Sequence, residues 1–316
     1  MSNALREAAA TAVDQCMALD GEESCAVVTD DERLPIGEAL YDAASAVTDD
    51  AVLLRYPPGE QHGTEPPAPV AAAMADADVV LAPTTKSLSH TRARRRACDA
   101  GARAATLPGI TDDVMIAGLD ADYEAIERCC LEVLDRVASA DEIRVTSAMG
   151  TDLTVEPGGR EWLTDTGMVH DAGDFSNLPA GEVFVSPETA DGTYVVDGTM
   201  MPHGLIEEPL RFEVTDGYVT HVSDDAVRGQ IEAAREEVGD AAANLAELGI
   251  GTNVGVTELV GSVLLDEKAA GTVHVAIGDD ASIGGDTEAP LHLDGIIREP
   301  TVYADGEMVE LPEVER

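Results

Sequence analysis

The segment LHLDGII sets His292 and Asp294 two positions apart. In a strand, residues i and i+2 project from one face, so an imidazole and a carboxylate stand side by side, a pairing suited to a divalent metal. His274 sits in the middle of the apolar run GTVHVAIG, where an unpartnered imidazole is costly to bury; it requires a partner. Taken alone, the HxD spacing is weak, because a histidine hydrogen-bonded to a neighbouring aspartate at a strand end explains it more economically. Two glutamates enlarge the set. Glu182 opens the strand pattern of NLPAGEVFVSP, and Glu247 in NLAELGIGTN is expected at the end of a helix capped by Gly249 or Gly251. There a carboxylate would face the negative end of the helix macrodipole and need positive compensation. In a chain with 62 acidic residues, however, a solvated surface position is the default for any single glutamate.

The elements that must position these residues fall into two textures. The first third alternates a helix near 3–19, a strand in SCAVVTD, a helix through Leu40, and strands in AVLLRYP and ADVVLAPT. Then SLSHTRARRRACDAGARAATLPG reads as a helix capped by Ser87 or Ser89, followed by a short strand and a helix at 121–138. This rhythm predicts parallel βαβ units in an α/β domain over residues 1–140. After Ala138 come short strands and glycine turns in EIRVTSAMGTDLTVEP, GEVFVSP, GTYVVDG and RFEVTDGYVTHV, an antiparallel pattern. Helices are expected over 225–247, with a break near Gly239, and over 256–269, before TVHVAIG, LHLDGIIRE and a TVYADGEMVE hairpin. Residues 141–316 thus predict a mixed α+β domain carrying the candidate metal ligands.

Composition narrows the setting. The net charge is −43, and Lys86 and Lys268 are the only lysines among 19 basic residues. With 44% hydrophobic residues the chain can bury a core, which favours a folded protein with an acidic surface over a disordered one. Such a surface repels itself unless concentrated salt shortens the Debye length to about 3 Å near 1 M. The lysine depletion and the 3% aromatic content resemble proteins of extreme halophiles. A polyanion such as nucleic acid is excluded as a partner for want of basic stripes. Cys16, Cys25, Cys98, Cys129 and Cys130 show no CxxC spacing and read as reduced thiols. MSNALREAAATAV lacks the signal-peptide pattern, and no run of about 18 apolar residues occurs, so a cytoplasmic protein that does not span a membrane is expected. His170 and His203 read as exposed loop histidines, and Arg92, Arg94, Arg95 and Arg96 as a helix face paired with acids.

NLPAGEVFVSP, ELGIGTN, GTVHVAIG and HLDGI occur in the order and approximate spacing of the metallo-aminopeptidases of the aminopeptidase T and S type, which SLSHTRARRRACDAGARAATLPGIT also resembles. The resemblance runs from about Val79 to the C-terminus. It implies a two-domain homodimer with one or two divalent ions (Zn, Co or Mn) in a cleft, and it puts Glu182, Glu247, His274, His292 and Asp294 on metal-binding positions. The implied reaction removes the N-terminal residue of a short peptide by metal-activated water, with Glu182 or Glu247 shuttling the proton. The same superfamily resembles 2,5-dihydroxypyridine 5,6-dioxygenase, which would use Fe(II) on His274, His292 and Asp294 for oxygen-dependent ring cleavage. Retention of both glutamates favours the hydrolase. Two departures weigh against it: GTVHVAIGDDASIGG offers Ala281 or its neighbours where those aminopeptidases carry a tyrosine, and the stretch from His274 to His292 is short. The sequence thus ranks aminopeptidase first, dioxygenase second, and a metal-binding protein without turnover third.

Overall fold

A computed structural model describes residues 2–314. The chain forms two compact units, one from the chain up to Glu127 with Asp165–Ala180, the other from Arg128–Thr164 with the chain from Gly181 onward.

The first unit is built on a five-stranded parallel sheet in the order Ala51–Tyr56, Cys25–Asp30, Val79–Thr84, Arg103–Pro108, Phe175–Asn177. Cys25–Asp30 and Val79–Thr84 are buried along their whole length, as expected of central strands covered on both faces. Helices Leu34–Val47, Ala68–Asp76 and Arg92–Asp99 make the crossovers. The last strand comes from the segment 165–180, downstream of the change of texture near residue 140. Helix Arg92–Asp99 starts at Thr91, whose Oγ1 accepts from the Arg94 N–H at 3.2 Å, and not at Ser87 or Ser89. Those two hydroxyls are bonded to each other at 2.8 Å. A helix at Asp112–Leu119, capped by Thr111, was not expected from the sequence.

The second unit holds two seven-stranded sheets. One runs Tyr218–Val222, Leu210–Thr215, Thr189–Val196, Asp152–Glu156, Ile143–Thr146, Thr301–Ala304, Glu307–Val309. The other runs Gly204–Leu205, Thr199–Met200, His292–Ile297, Val273–Gly278, Leu245–Gly251, Glu182–Val185, Leu163–Asp165. Its central pairings are antiparallel.

Two helix expectations are corrected here. Helix Asp225–Val238 ends at Gly239, whose φ of +67° lies in the left-handed region that glycine tolerates. After a 3-10 turn at Gly239–Ala243 the chain enters the fully buried strand Leu245–Gly251. Glu247 therefore lies mid-strand, and the macrodipole argument does not apply to it. The helix expected over 256–269 shrinks to the single turn Val263–Asp266. All five cysteines are free thiols, as expected. Among the described residues no helix is long and apolar enough to cross a membrane.

Candidate metal centre

The antiparallel register puts the candidate residues on one face of four adjacent strands. Glu182 pairs with Gly251, Gly249 with His274, Glu247 with Ala276, Ala276 with Asp294, and Gly278 with His292. Directly paired residues share a face, as do alternate residues along a strand. One face therefore carries Glu182, Glu247, His274, His292 and Asp294, interleaved with Gly249, Gly251, Ala276 and Gly278. The opposite face presents Val183, Leu248, Ile250, Val273, Val275 and Ile297, all fully buried, each such side chain contributing roughly 1.5–3 kcal/mol by its removal from water. The apolar face anchors the sheet, and the small residues on the other give the charged side chains room to meet. Gly249 shows this directly, since a Cβ there would lie 2.0 Å from His274 Nε2.

The two imidazoles converge on one carboxylate. His274 Nε2 lies 3.1 Å from Glu247 Oε1, and His292 Nε2 lies 3.4 Å from Glu247 Oε2 and 3.4 Å from Asp294 Oδ1. Glu182 Oε2 stands 3.5 Å from His274 Nε2 and has no hydrogen-bond partner among the described residues. His292 Nδ1 is fixed at 2.7 Å from the Asp279 carbonyl oxygen, which aims Nε2 into the cluster. Its side chain remains 34% exposed, whereas those of His274, Glu182 and Glu247 are buried.

The charges are tightly coupled. Burial opposes a charged imidazole at His274, yet the hydrogen bond to Glu247 and the carboxylates of Glu182, Glu247 and Glu267 push it up to about 9. At His292 the enclosing protein likewise opposes the charge, and Asp294 and Glu247 outweigh it, holding the ring well above its usual range. Glu247 and Asp294 stay below the usual carboxylate range because the imidazoles offset their burial. Glu182 moves the other way, to about 8, since burial and the neighbouring Glu267 and Glu247 prevail over Lys268 and His274.

A divalent cation fits this arrangement. Glu182, Glu247 and His274 form one set of donors within 4.8 Å of one another, and Glu247, His292 and Asp294 form a second. The donors are the nitrogen and oxygen types that such ions take. The backbone carbonyl behind His292 is the support that metal-ligating histidines ordinarily have. Glu247 belongs to both sets, which joins His274 to the His292–Asp294 pair.

Sequence reasoning missed Lys268 and Glu267. Lys268 Nζ contacts Glu182 Oε1 and lies 2.8 Å from Glu267 Oε1, with only 4% of its side chain exposed. The available signal was that a chain which otherwise uses arginine keeps one of its two lysines here. His170 and His203 have other partners: His170 Nε2 is 2.7 Å from the Gln15 carbonyl oxygen, and His203 Nε2 is 3.0 Å from Asp224, the cap of helix Asp225–Val238. In the arginine run, Arg92 pairs with Glu65 at 3.2 Å, while Arg94 donates to the Ser89 carbonyl at 2.7 Å and lies over the Phe175 ring at 4.1 Å.

Residues 7–311 match the sequence model of the family described as NicX: 2,5-dihydroxypyridine 5,6-dioxygenase, and the chain belongs to that family. The fold is similar to that of the 2,5-dihydroxypyridine dioxygenase of Pseudomonas putida KT2440, with a TM-score of 0.79 at 21% identity over 100% of this chain and 98% of that one. It is also similar to wild-type AmpT of Thermus thermophilus, with a TM-score of 0.67 at 18% identity over 97% of this chain and 99% of that one. No curated protein sequence matches the chain. These findings favour the reading that the sequence ranked second, the dioxygenase, over the aminopeptidase.

Proposed function

We propose that this protein is an Fe(II)-dependent oxygenase that opens a hydroxylated, nitrogen-containing aromatic ring. The observation that carries this reading is the family match over residues 7–311, a span that contains every residue of the centre. The likeness to AmpT, at 18% identity, speaks for a common fold and not for a common reaction.

The residues that would hold the iron are His274, His292 and Asp294, the two-histidine, one-carboxylate set used by non-haem oxygenases, with Glu247 between the imidazoles. Bound there, Fe(II) supplies the redox chemistry by which O2 reacts with an electron-rich ring. The Asp279 carbonyl orients His292, and Gly249 leaves the space that the His274 ring occupies. Both imidazoles must be deprotonated to act as ligands, so metal uptake releases protons. Glu182, which changes protonation near pH 8, is suited to accept a proton from a substrate hydroxyl, and Glu247 is the other carboxylate in the cluster.

The test is an oxygen-electrode assay of protein loaded anaerobically with Fe(II) and held in molar KCl, the setting that 43 excess negative charges call for. With 2,5-dihydroxypyridine the expected result is consumption of O2 in proportion to the ring absorbance lost, and no hydrolysis of Leu-p-nitroanilide with Zn, Mn or Co. Peptide hydrolysis without oxygen uptake would assign the chain to the aminopeptidases. Metal binding with neither activity would leave a binding protein without turnover.

A further inference from the structure

We propose that Lys268 is a built-in cation that stands in for a second metal ion and restricts the centre to one. The inference rests on the metal-centre reading and is independent of the reaction carried out there. Two ions sharing a bridging carboxylate, as in paired-metal hydrolases, would need both donor sets, Glu182–Glu247–His274 and Glu247–His292–Asp294. In the first set Glu182 is already engaged, because the Lys268 ammonium contacts its Oε1 and is tied on the far side to Glu267. A divalent ion drawn to Glu182 would have to approach that ammonium at close range, in surroundings where water screens little. His274, His292 and Asp294, joined through Glu247, remain to hold the single ion.

The lysine is held in place from several directions. The Lys268 N–H donates to the Leu265 carbonyl at 3.0 Å, and the Lys268 carbonyl accepts from the Asn253 N–H at 2.8 Å. Gly251 makes room for the same loop, since a Cβ there would lie 2.1 Å from the Ala269 carbonyl oxygen. A buried ammonium needs carboxylates to offset its desolvation, and two are supplied, so a position with this cost is built rather than incidental. The residue type matters too. Arginine serves nearly every other basic position in the chain, yet here stands the side chain whose compact point charge most resembles a metal ion. Lys268 is thus a positioning residue that occupies Glu182 Oε1 and places a fixed positive charge beside the centre.

Chelator-stripped full-length protein titrated with Co(II) in molar KCl, with cobalt per chain measured after desalting, tests this. Wild type is expected to hold one Co(II) per chain even at millimolar Co(II), Lys268→Met two, and Lys268→Arg one. Two ions in the wild type, or one in folded Lys268→Met, would overturn the role of Lys268 while leaving the metal centre standing. A wild type that binds none would remove the metal centre itself. Should Lys268→Met fail to fold, Glu182→Gln decides: the single ion is expected to bind within about threefold of wild type, whereas a loss of 10-fold or more, the scale of a disturbed ligand shell, would show that Glu182 is a ligand and contradict the proposal.

Discussion

Each of the two units contains a polar cluster with buried members, and the two differ in how their hydrogen bonds and charges close. In the first unit Ser87 Oγ donates to Ser89 Oγ at 2.8 Å, while Ser89 Oγ and Thr106 Oγ1 donate to Asn177 Oδ1 at 2.9 and 2.6 Å. Every member is neutral. In the second unit Glu182, Glu247, Glu267 and Asp294 meet one ammonium and two imidazoles. Four carboxylates against one permanent cation leave an excess of negative charge that protons on the histidines and on Glu182, or a metal ion, can offset, which is why both imidazoles are driven toward their charged forms and Glu182 toward its neutral one. Burial alone therefore does not mark a functional site; unbalanced buried charge does.

The sharpest way to break this contrast is to remove a ligand. His292→Ala or Asp294→Ala is expected to lower metal affinity by at least about 100-fold, beyond the scale of supporting-shell changes, with an unchanged far-UV circular dichroism spectrum. Full metal occupancy in either variant, by elemental analysis, would reduce the HxD pair to a structural hydrogen bond. His170→Ala and His203→Ala are expected to leave occupancy intact.

Next in size is a change that touches no ligand. Gly249→Ala places a Cβ 2.0 Å from His274 Nε2, so the ring must shift, and metal affinity is expected to fall by about 10- to 100-fold. An unaltered affinity in a titration would show that the room left by Gly249 is not what positions His274.

The charge imbalance itself predicts a pH dependence. In metal-free protein His274 rises from its ordinary 6.5 to about 9, so its stabilisation is complete below pH 6.5 and is lost as pH climbs through 9. Glu182, raised from 4.5 to about 8, acts in the same sense, because its folded form favours the proton that higher pH removes. The Tm of metal-free protein is therefore expected to drop by several degrees between pH 6.5 and 9, and bound metal, which replaces those protons, is expected to abolish the drop. A Tm flat across that window in metal-free protein would contradict the charge account.

The smallest effect belongs to the neutral cluster. Thr106→Val removes one hydroxyl and is expected to cost about 1–3 kcal/mol of stability in chemical denaturation while metal affinity stays the same. A change in metal affinity would show that the two clusters are coupled.

The sequence revealed this site where periodicity and chemistry agreed. The HxD spacing in LHLDGII does put His292 and Asp294 on one strand face, and the apolar run around His274 is a buried strand. Glu247 was misplaced because Leu, Ala and Glu in NLAELG are strong helix formers, while the strand is imposed by pairing with Glu182–Val185 and Val273–Gly278, which no local pattern shows. Gly239 was visible as a break but is in fact the end of the helix. Phe175–Asn177 joins the parallel sheet as a three-residue strand, too short to carry a period of its own. Lys268 escaped because its significance depends on Glu182, 86 positions earlier in the chain.

The ionic cluster, and not another part of the molecule, is expected to take the metal. Anomalous diffraction at the iron edge, from crystals grown anaerobically with Fe(II), tests it most directly. One anomalous peak per chain is expected, within coordinating distance of His274, His292 and Asp294. An iron peak elsewhere, or none in this cluster at full iron loading, would contradict it.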